Sequence, residues 1–165
     1  WHLYKVMKDM LIDEVTNWRR KHLNAIFCKY KKAPFFSENF PKLEKLYENT
    51  DSNFSNFVFK QLEFWLNEFG IGTKIILQST LNIDAKKSDL VYDMCVSVNA
   101  DHYLSGAMGA GYLNEDKFRK AGIKITYQDY HCAEYPQLWG GPFIPRLSVV
   151  DFWMNTKDYS LIINK

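Results

Sequence analysis

The hydrophobic period of this 165-residue chain changes near residue 73. A helical repeat governs the first part, and short β-branched runs alternating with helical segments govern the rest. Trp18, His22, Ala25, Ile26 and Tyr30 recur at helical spacing and predict a helix from about Trp18 to Tyr30, with Asn17 before it as N-cap. Pro41 suits a first turn, which predicts a short helix over about Pro41–Tyr47. Phe54, Phe57, Val58, Leu62, Trp65 and Phe69 form a stripe between a cap at Asp51 or Ser52 and a stop at Gly70. Phe59, Phe64 and Leu66 lie off that stripe, so this third helix is expected to be buried on more than one side.

Beyond the switch, Thr73–Leu77, His102–Leu104 and Ile123–Tyr127 read as strands. Between them lie a helix from Ser88 or Asp89 to about Val98 and a helix from Glu115 to about Ala121, capped by Asn114 and stopped by Gly122. Strand–helix–strand–helix–strand order predicts a short parallel sheet with flanking helices. The fold class expected is therefore α/β, Rossmann-like and three-layered, behind a helix-rich N-terminal half, with residues 1–165 forming a single domain. Ser148 can cap a helix from Val149, although Leu147–Val150 also reads as strand, and Leu161–Asn164 reads as an edge strand.

Composition narrows the function classes. Lys and Arg number 21 against 19 Asp and Glu, a net charge of +2, which is too small to predict nucleic-acid binding through phosphate neutralisation. Three cysteines, Cys28, Cys95 and Cys132, are an odd number without C-x-x-C spacing. They favour a reducing, cytoplasmic setting over a disulfide framework or structural zinc. No apolar run approaches the roughly 20 residues that cross a bilayer. The aromatic content of 16% calls for a large core or a stacking surface.

Several segments carry chemistry. Ser105-Gly106-Ala107-Met108-Gly109-Ala110-Gly111 follows a predicted strand and precedes a helix, where backbone N–H groups can meet an anion. Its spacing is neither a dinucleotide fingerprint nor a P-loop, and a plain connector is the alternative. His22 is either a core histidine or a general base. His131-Cys132 is either an incidental loop pair or a nucleophile awaiting a distant base. No metal motif and no cofactor fingerprint occur, so neither a metal nor a cofactor is expected. Tyr127–Tyr130 and Glu134–Pro142 make an aromatic, polar, Pro/Gly-rich stretch suited either to a sugar or amide ligand or to a packed surface loop.

Read in series, these blocks resemble the WbqC-like family, found with bacterial O-antigen and other surface-polysaccharide clusters. The matching blocks are Trp18–His22, Tyr30–Phe36, Gly70–Ile75, Tyr103–Gly106, Tyr112-Leu113, Gly122-Ile123, Tyr127-Gln128, Tyr135–Gln137 and Phe143–Asp151. The resemblance covers roughly the C-terminal two-thirds of the family. Its opening Gln-Pro segment, the Asp-rich strand region that follows and an N-R-N-like block have no counterpart here. The chain also opens on Trp1, and the expectation is a chain lacking the family's N-terminal segment. The resemblance implies a cytoplasmic transferase of surface-polysaccharide biosynthesis, passing a glycyl or other aminoacyl group to an activated sugar. The alternative is a glycan- or protein-binding module of the same pathway. Matched polar positions then become the candidate sites. His22, Lys21 and Asp151 are expected to be catalytic. Ser105, Gly106, Gly109, Tyr112, Gln128, Tyr135 and Gln137 are expected to bind the ligand. The expected partner is a small activated sugar or aminoacyl donor, with no nucleic acid and no membrane span.

Overall fold

The computed structural model describes residues 6–163. In chain order its helices and strands are α1 (Trp18–Tyr30), α2 (Phe36–Tyr47), α3 (Phe54–Glu68), α4 (Lys87–Ser97), β1 (His102–Ser105), α5 (Glu115–Lys120), β2 (Lys124–Tyr127) and α6 (Val149–Asn155), with short 3-10 turns between some of them. The class is mixed α/β. Two compact units divide the chain: one holds the residues up to Thr73 and those from Cys132 onward, the other is Lys74–His131. No helix among the described residues is long and apolar enough to cross a membrane.

The first unit is built around α6. Ser148 caps this helix by accepting from the Val150 N–H at 3.2 Å, which settles the helix-or-strand choice at 148–150. Every residue from Asp151 to Asn155 is buried, and Trp153 and Met154 have no exposed surface at all. A helix covered all round has no water to satisfy its last carbonyls. Other elements do so here. The Asn39 side chain on α2 donates to the Trp153 carbonyl at 2.7 Å, and the Phe35 N–H donates to the Met154 carbonyl at 3.1 Å. Apolar contacts close the rest: the Trp153 ring meets Phe64 and Trp65 edge-on at 5.7 and 5.1 Å.

The N-terminal helices keep most of their expected bounds. Helix α1 runs as predicted, though Asn17 makes no side-chain cap bond. Helix α2 begins at Phe36, a turn before the predicted Pro41 start. Pro41 lies inside it and leaves the Ser37 carbonyl without its N–H; both residues are exposed, so solvent can reach that carbonyl. Helix α3 is capped by Asn53, which accepts from Asn56 N–H at 3.0 Å, one or two residues beyond the predicted caps. Asn53 also donates to the Lys8 carbonyl at 2.6 Å, and Leu11 forms an antiparallel bridge with it. The predicted stripe of α3 is split. Phe57 is buried and Trp65 packs in the core, but Phe54, Val58 and Leu62 remain 39–44% exposed, and off-stripe Phe64 joins the core instead.

In the second unit β1 and β2 pair in parallel, His102 opposite Lys124 through Ser105 opposite Tyr127. The strand predicted at Thr73–Leu77 is irregular chain, so the parallel sheet has two strands rather than three. The short parallel sheet expected is formed as one β-α-β unit within a mixed α/β chain. Cys95, Leu113, Phe118 and Ile123 form its core. Lys117 reaches Asp89 at 2.6 Å and ties α5 to the start of α4. The Leu161–Asn164 edge strand is not formed either: Tyr159–Leu161 is a 3-10 turn, and residue 164 lies outside the described residues.

Three helix ends share one stop. After α3, Ile71 N–H bonds Leu66 carbonyl at 2.8 Å and Gly70 N–H bonds Asn67 at 3.1 Å. The same 6→1 and 5→2 pair recurs after α5, from Ile123 to Phe118 and Gly122 to Arg119, and after α4, from Ala100 to Cys95 and Asn99 to Val96. Gly70, Gly122 and Asn99 supply the left-handed residue, at φ +67°, +75° and +54°.

Two substitutions test this packing. Asn39→Ala strands the buried Trp153 carbonyl and is expected to cost about 1–3 kcal/mol, read as a lower denaturant midpoint with unchanged m-value. Gly109→Ala places a methyl 2.0 Å from the buried Ser105 Oγ and 3.1 Å from Leu113 Cδ1. A loss of about 1–3 kcal/mol is expected. Adding Ser105→Ala should restore part of it, so that the two changes couple in a double-mutant cycle.

Candidate functional site

Tyr135, Gln137 and Asp151, 16 and 14 residues apart, meet around one carboxylate. Asp151 stands in the first turn of α6, where its charge faces the positive end of the helix, and it is only 6% exposed. Its Oδ2 accepts from the Tyr135 hydroxyl at 2.8 Å and lies 3.4 Å from the Gln137 amide nitrogen. The Tyr30 hydroxyl, at the end of α1, is close enough to feel this carboxylate. The buried charge is held by hydroxyl and amide donors, and no cation lies within ion-pair distance of it among the described residues.

The network sets the protonation of the phenols. Burial, and then the hydrogen bond to the Asp151 carboxylate, push the Tyr30 hydroxyl up to about 12. The same two causes raise Tyr135, with the Gln137 hydrogen bond acting weakly against them. Both phenols therefore remain donors at neutral pH. Gln137 also folds the loop that follows. Its Nε2 donates to the Ile144 carbonyl at 2.9 Å and its Oε1 accepts from the Ile144 N–H at 3.0 Å, as a paired strand would. Between these two points Gly140 and Gly141 turn the chain with φ of +64° and +81°. Phe143 and Phe152 grip the Tyr135 ring edge-on at 5.3 and 5.0 Å. A cavity of about 500 Å³ opens beside this loop, lined by Glu134, Tyr135, Pro136, Gln137, Gly140, Gly141 and Phe143. Trp139, 69% exposed, stands on the same loop.

The other predicted catalytic residues lie elsewhere. His22 is exposed on α1 with Trp18 at 5.3 Å and Tyr47 at 6.2 Å. It borders a different cavity, of about 530 Å³, with Leu11, Ile12, Phe57 and Gln61. Eight residues separate His22 from Tyr30, about 12 Å along the helix axis, so His22 and Asp151 are not partners. Lys21 is exposed on α1 and makes no ion pair among the described residues.

The glycine-rich segment belongs to the second unit and folds as a 3-10 turn, Ala107–Gly111. Part of its bonding is internal: Gly109 N–H bonds Gly106, and Tyr112 and Leu113 N–H both bond Gly109. Ser105 is buried, with Oγ donating to the Gly106 carbonyl at 3.0 Å. Gly109 is a glycine because Ser105 presses against it. Tyr112 is half exposed, and Gln128, exposed, donates its N–H to the Ser105 carbonyl at 2.8 Å. His131 and Asp129 approach to 3.9 Å on the surface, and Cys132 is half-buried, with Sγ 3.7 Å from the Ala133 carbonyl. No group of three or more His, Cys, Asp and Glu among the described residues is placed to hold a metal.

Tyr30 is the member of the network that spacing alone missed. A tyrosine on an apolar helix face still needs a partner for its hydroxyl, and that need was the available signal. Because its phenol is held protonated in the folded state, its contribution to stability is complete below about pH 10 and is lost as pH rises toward 12. Thermal unfolding between pH 9 and 12, roughly the span of that titration, is expected to fall less steeply for Tyr30→Phe than for the wild type.

The chain is 29% identical over 154 residues to the uncharacterized protein Rv1507c of Mycobacterium tuberculosis, an alignment that takes in 92% of this chain and 66% of that protein. The chain thus spans just under two-thirds of that relative's length. No solved structure matches it. A family model, the WbqC-like protein family, matches residues 2–162, essentially the whole chain, and the expected correspondence to the family's C-terminal two-thirds does not describe that match. The chain belongs to the WbqC-like protein family.

Proposed function

We propose that the chain acts in bacterial surface-polysaccharide assembly as a transferase, moving an aminoacyl group such as glycyl onto an activated amino sugar. The observation that carries this reading is the Tyr135–Gln137–Asp151 network, which holds the loop beside the 500 Å³ cavity in one shape. Aromatic edges and glycine backbone beside polar side chains suit a sugar, which offers hydroxyl edges and apolar faces. Trp139 provides an exposed ring on which a sugar face can lie. Family membership supports the pathway.

Asp151 is already engaged by Tyr135 and Gln137, both on the loop, so its role is to hold the loop. Glu134 brings a carboxylate to the lining of the cavity. In the reaction proposed, the sugar amine attacks the acyl carbonyl, the N–C bond forms, the bond to the donor's leaving group breaks, and the amine proton passes to the Glu134 carboxylate. His22, the base expected from the sequence, belongs to the other cavity. One observation also favours the second reading, a sugar-binding module without chemistry: the most buried carboxylate here has no free role as a base.

Binding and turnover separate the two. Nucleotide-linked amino sugars should raise the melting temperature, and Trp139→Ala should weaken that binding about tenfold without changing the unliganded melting temperature. With an aminoacyl donor added, Glu134→Gln should lower turnover by about 10² while binding persists. A sugar that binds and returns unmodified by the wild type would leave the binding module standing, and no binding would remove both.

A further inference from the structure

We propose that the outer face of α1 docks on an anionic phospholipid surface. This inference stands apart from the proposed chemistry, because it rests on a different face of the molecule. Residues 15–37 hold six of the chain's 21 cationic side chains and none of its 19 acids, so the remaining residues carry fifteen cations against nineteen acids. The chain's modest net charge of +2 hides that polarity.

The helix gathers these charges on one side. Leu23, Ile26 and Tyr30 face the core. Arg20, Asn24, Phe27 and Lys31 follow at i, i+4, i+7 and i+11 and form a single exposed row about 16 Å long, with Lys21 and Cys28 beside it. Lys29 and Lys32 flank the row, also exposed. Arg19 alone among the six is neutralised, by Glu14 at 2.5 Å. The other five have no carboxylate within ion-pair distance among the described residues. Unpaired cations on one face attract an anionic surface, each adding to the affinity.

Phe27 decides the kind of surface. It is 44% exposed in the middle of the cations, with its inner edge against Phe36 and Phe40 at 5.6 and 5.7 Å. A ring among lysines and arginines on a convex helix face matches the interface of a bilayer, where headgroups take the charge and the ring enters between them. A nucleic-acid strand calls for several stacking rings among its cations, and among the described residues the row offers the single ring of Phe27.

Sedimentation of the whole protein with vesicles tests the proposal. It should co-sediment with phosphatidylglycerol–phosphatidylcholine vesicles in low salt, release in high salt, and ignore vesicles of phosphatidylcholine alone. The triple variant R20Q/K21Q/K31Q changes only exposed side chains, and its fold is checked by circular dichroism. It should bind about tenfold less or weaker still. Failure to bind the anionic vesicles, equal binding by the folded triple variant, or tighter binding to a single-stranded oligonucleotide than to the vesicles would each overturn it.

Discussion

Helix α6 is only seven residues long, yet it is buried on every side, and that burial is affordable only because its carbonyls are met from outside. A short helix in apolar surroundings forfeits far more from unpaired backbone than it gains from its own few hydrogen bonds. Asn39 and the backbone of Phe35 close one end of α6, and Ser148 opens the other. The placement of α2 follows, since its first residues must reach the end of α6. The placement of α1 follows too, since Tyr30 must reach Asp151. The Tyr135 loop is the last dependent, held to the same helix through the same carboxylate.

That dependence gives the loop its rigidity. Gln137 pairs both of its amide atoms with Ile144 while lying against Asp151, so one side chain fixes both the shape of the loop and its attachment. A cavity wall built this way is set before any ligand arrives, which lowers the ordering cost of binding. Arg146, between the loop and α6, sits at φ +61°, a backbone conformation that a non-glycine side chain resists.

Local signals were read well from the sequence, and distant ones were not. The ends of α3 and α5 are legible because each is written in adjacent residues: the last helical turn, then Gly, then an apolar residue that folds back. Pro41 misled because its preference for a first turn is only a preference, and an exposed second turn tolerates it. Thr73–Leu77 has the composition of a strand, but a strand exists only with a partner beside it, and no local pattern reports that. Phe54, Val58 and Leu62 keep perfect spacing and still stay exposed, because periodicity names a face without saying what covers it. At the candidate site, Tyr135, Gln137 and Asp151 stand in the sequence only as separate matches to a family. Their meeting at one oxygen, and the arrival of Tyr30 from 121 positions away, are facts of packing that no spacing rule contains.

The second unit is an insertion within the first, and the interruption has a consequence for synthesis. Helix α3 leaves the ribosome about eighty residues before α6, and α1 and α2 leave earlier still. At typical elongation rates of about 5–20 residues per second, they wait several seconds without the helix around which they pack. The inserted unit, whose contacts are local, has everything it needs during that interval. The first unit therefore closes last, and a ribosome that stalls before residue 149 leaves Phe40, Leu43, Phe64 and Trp65 open to whichever chaperone or neighbouring chain reaches them first.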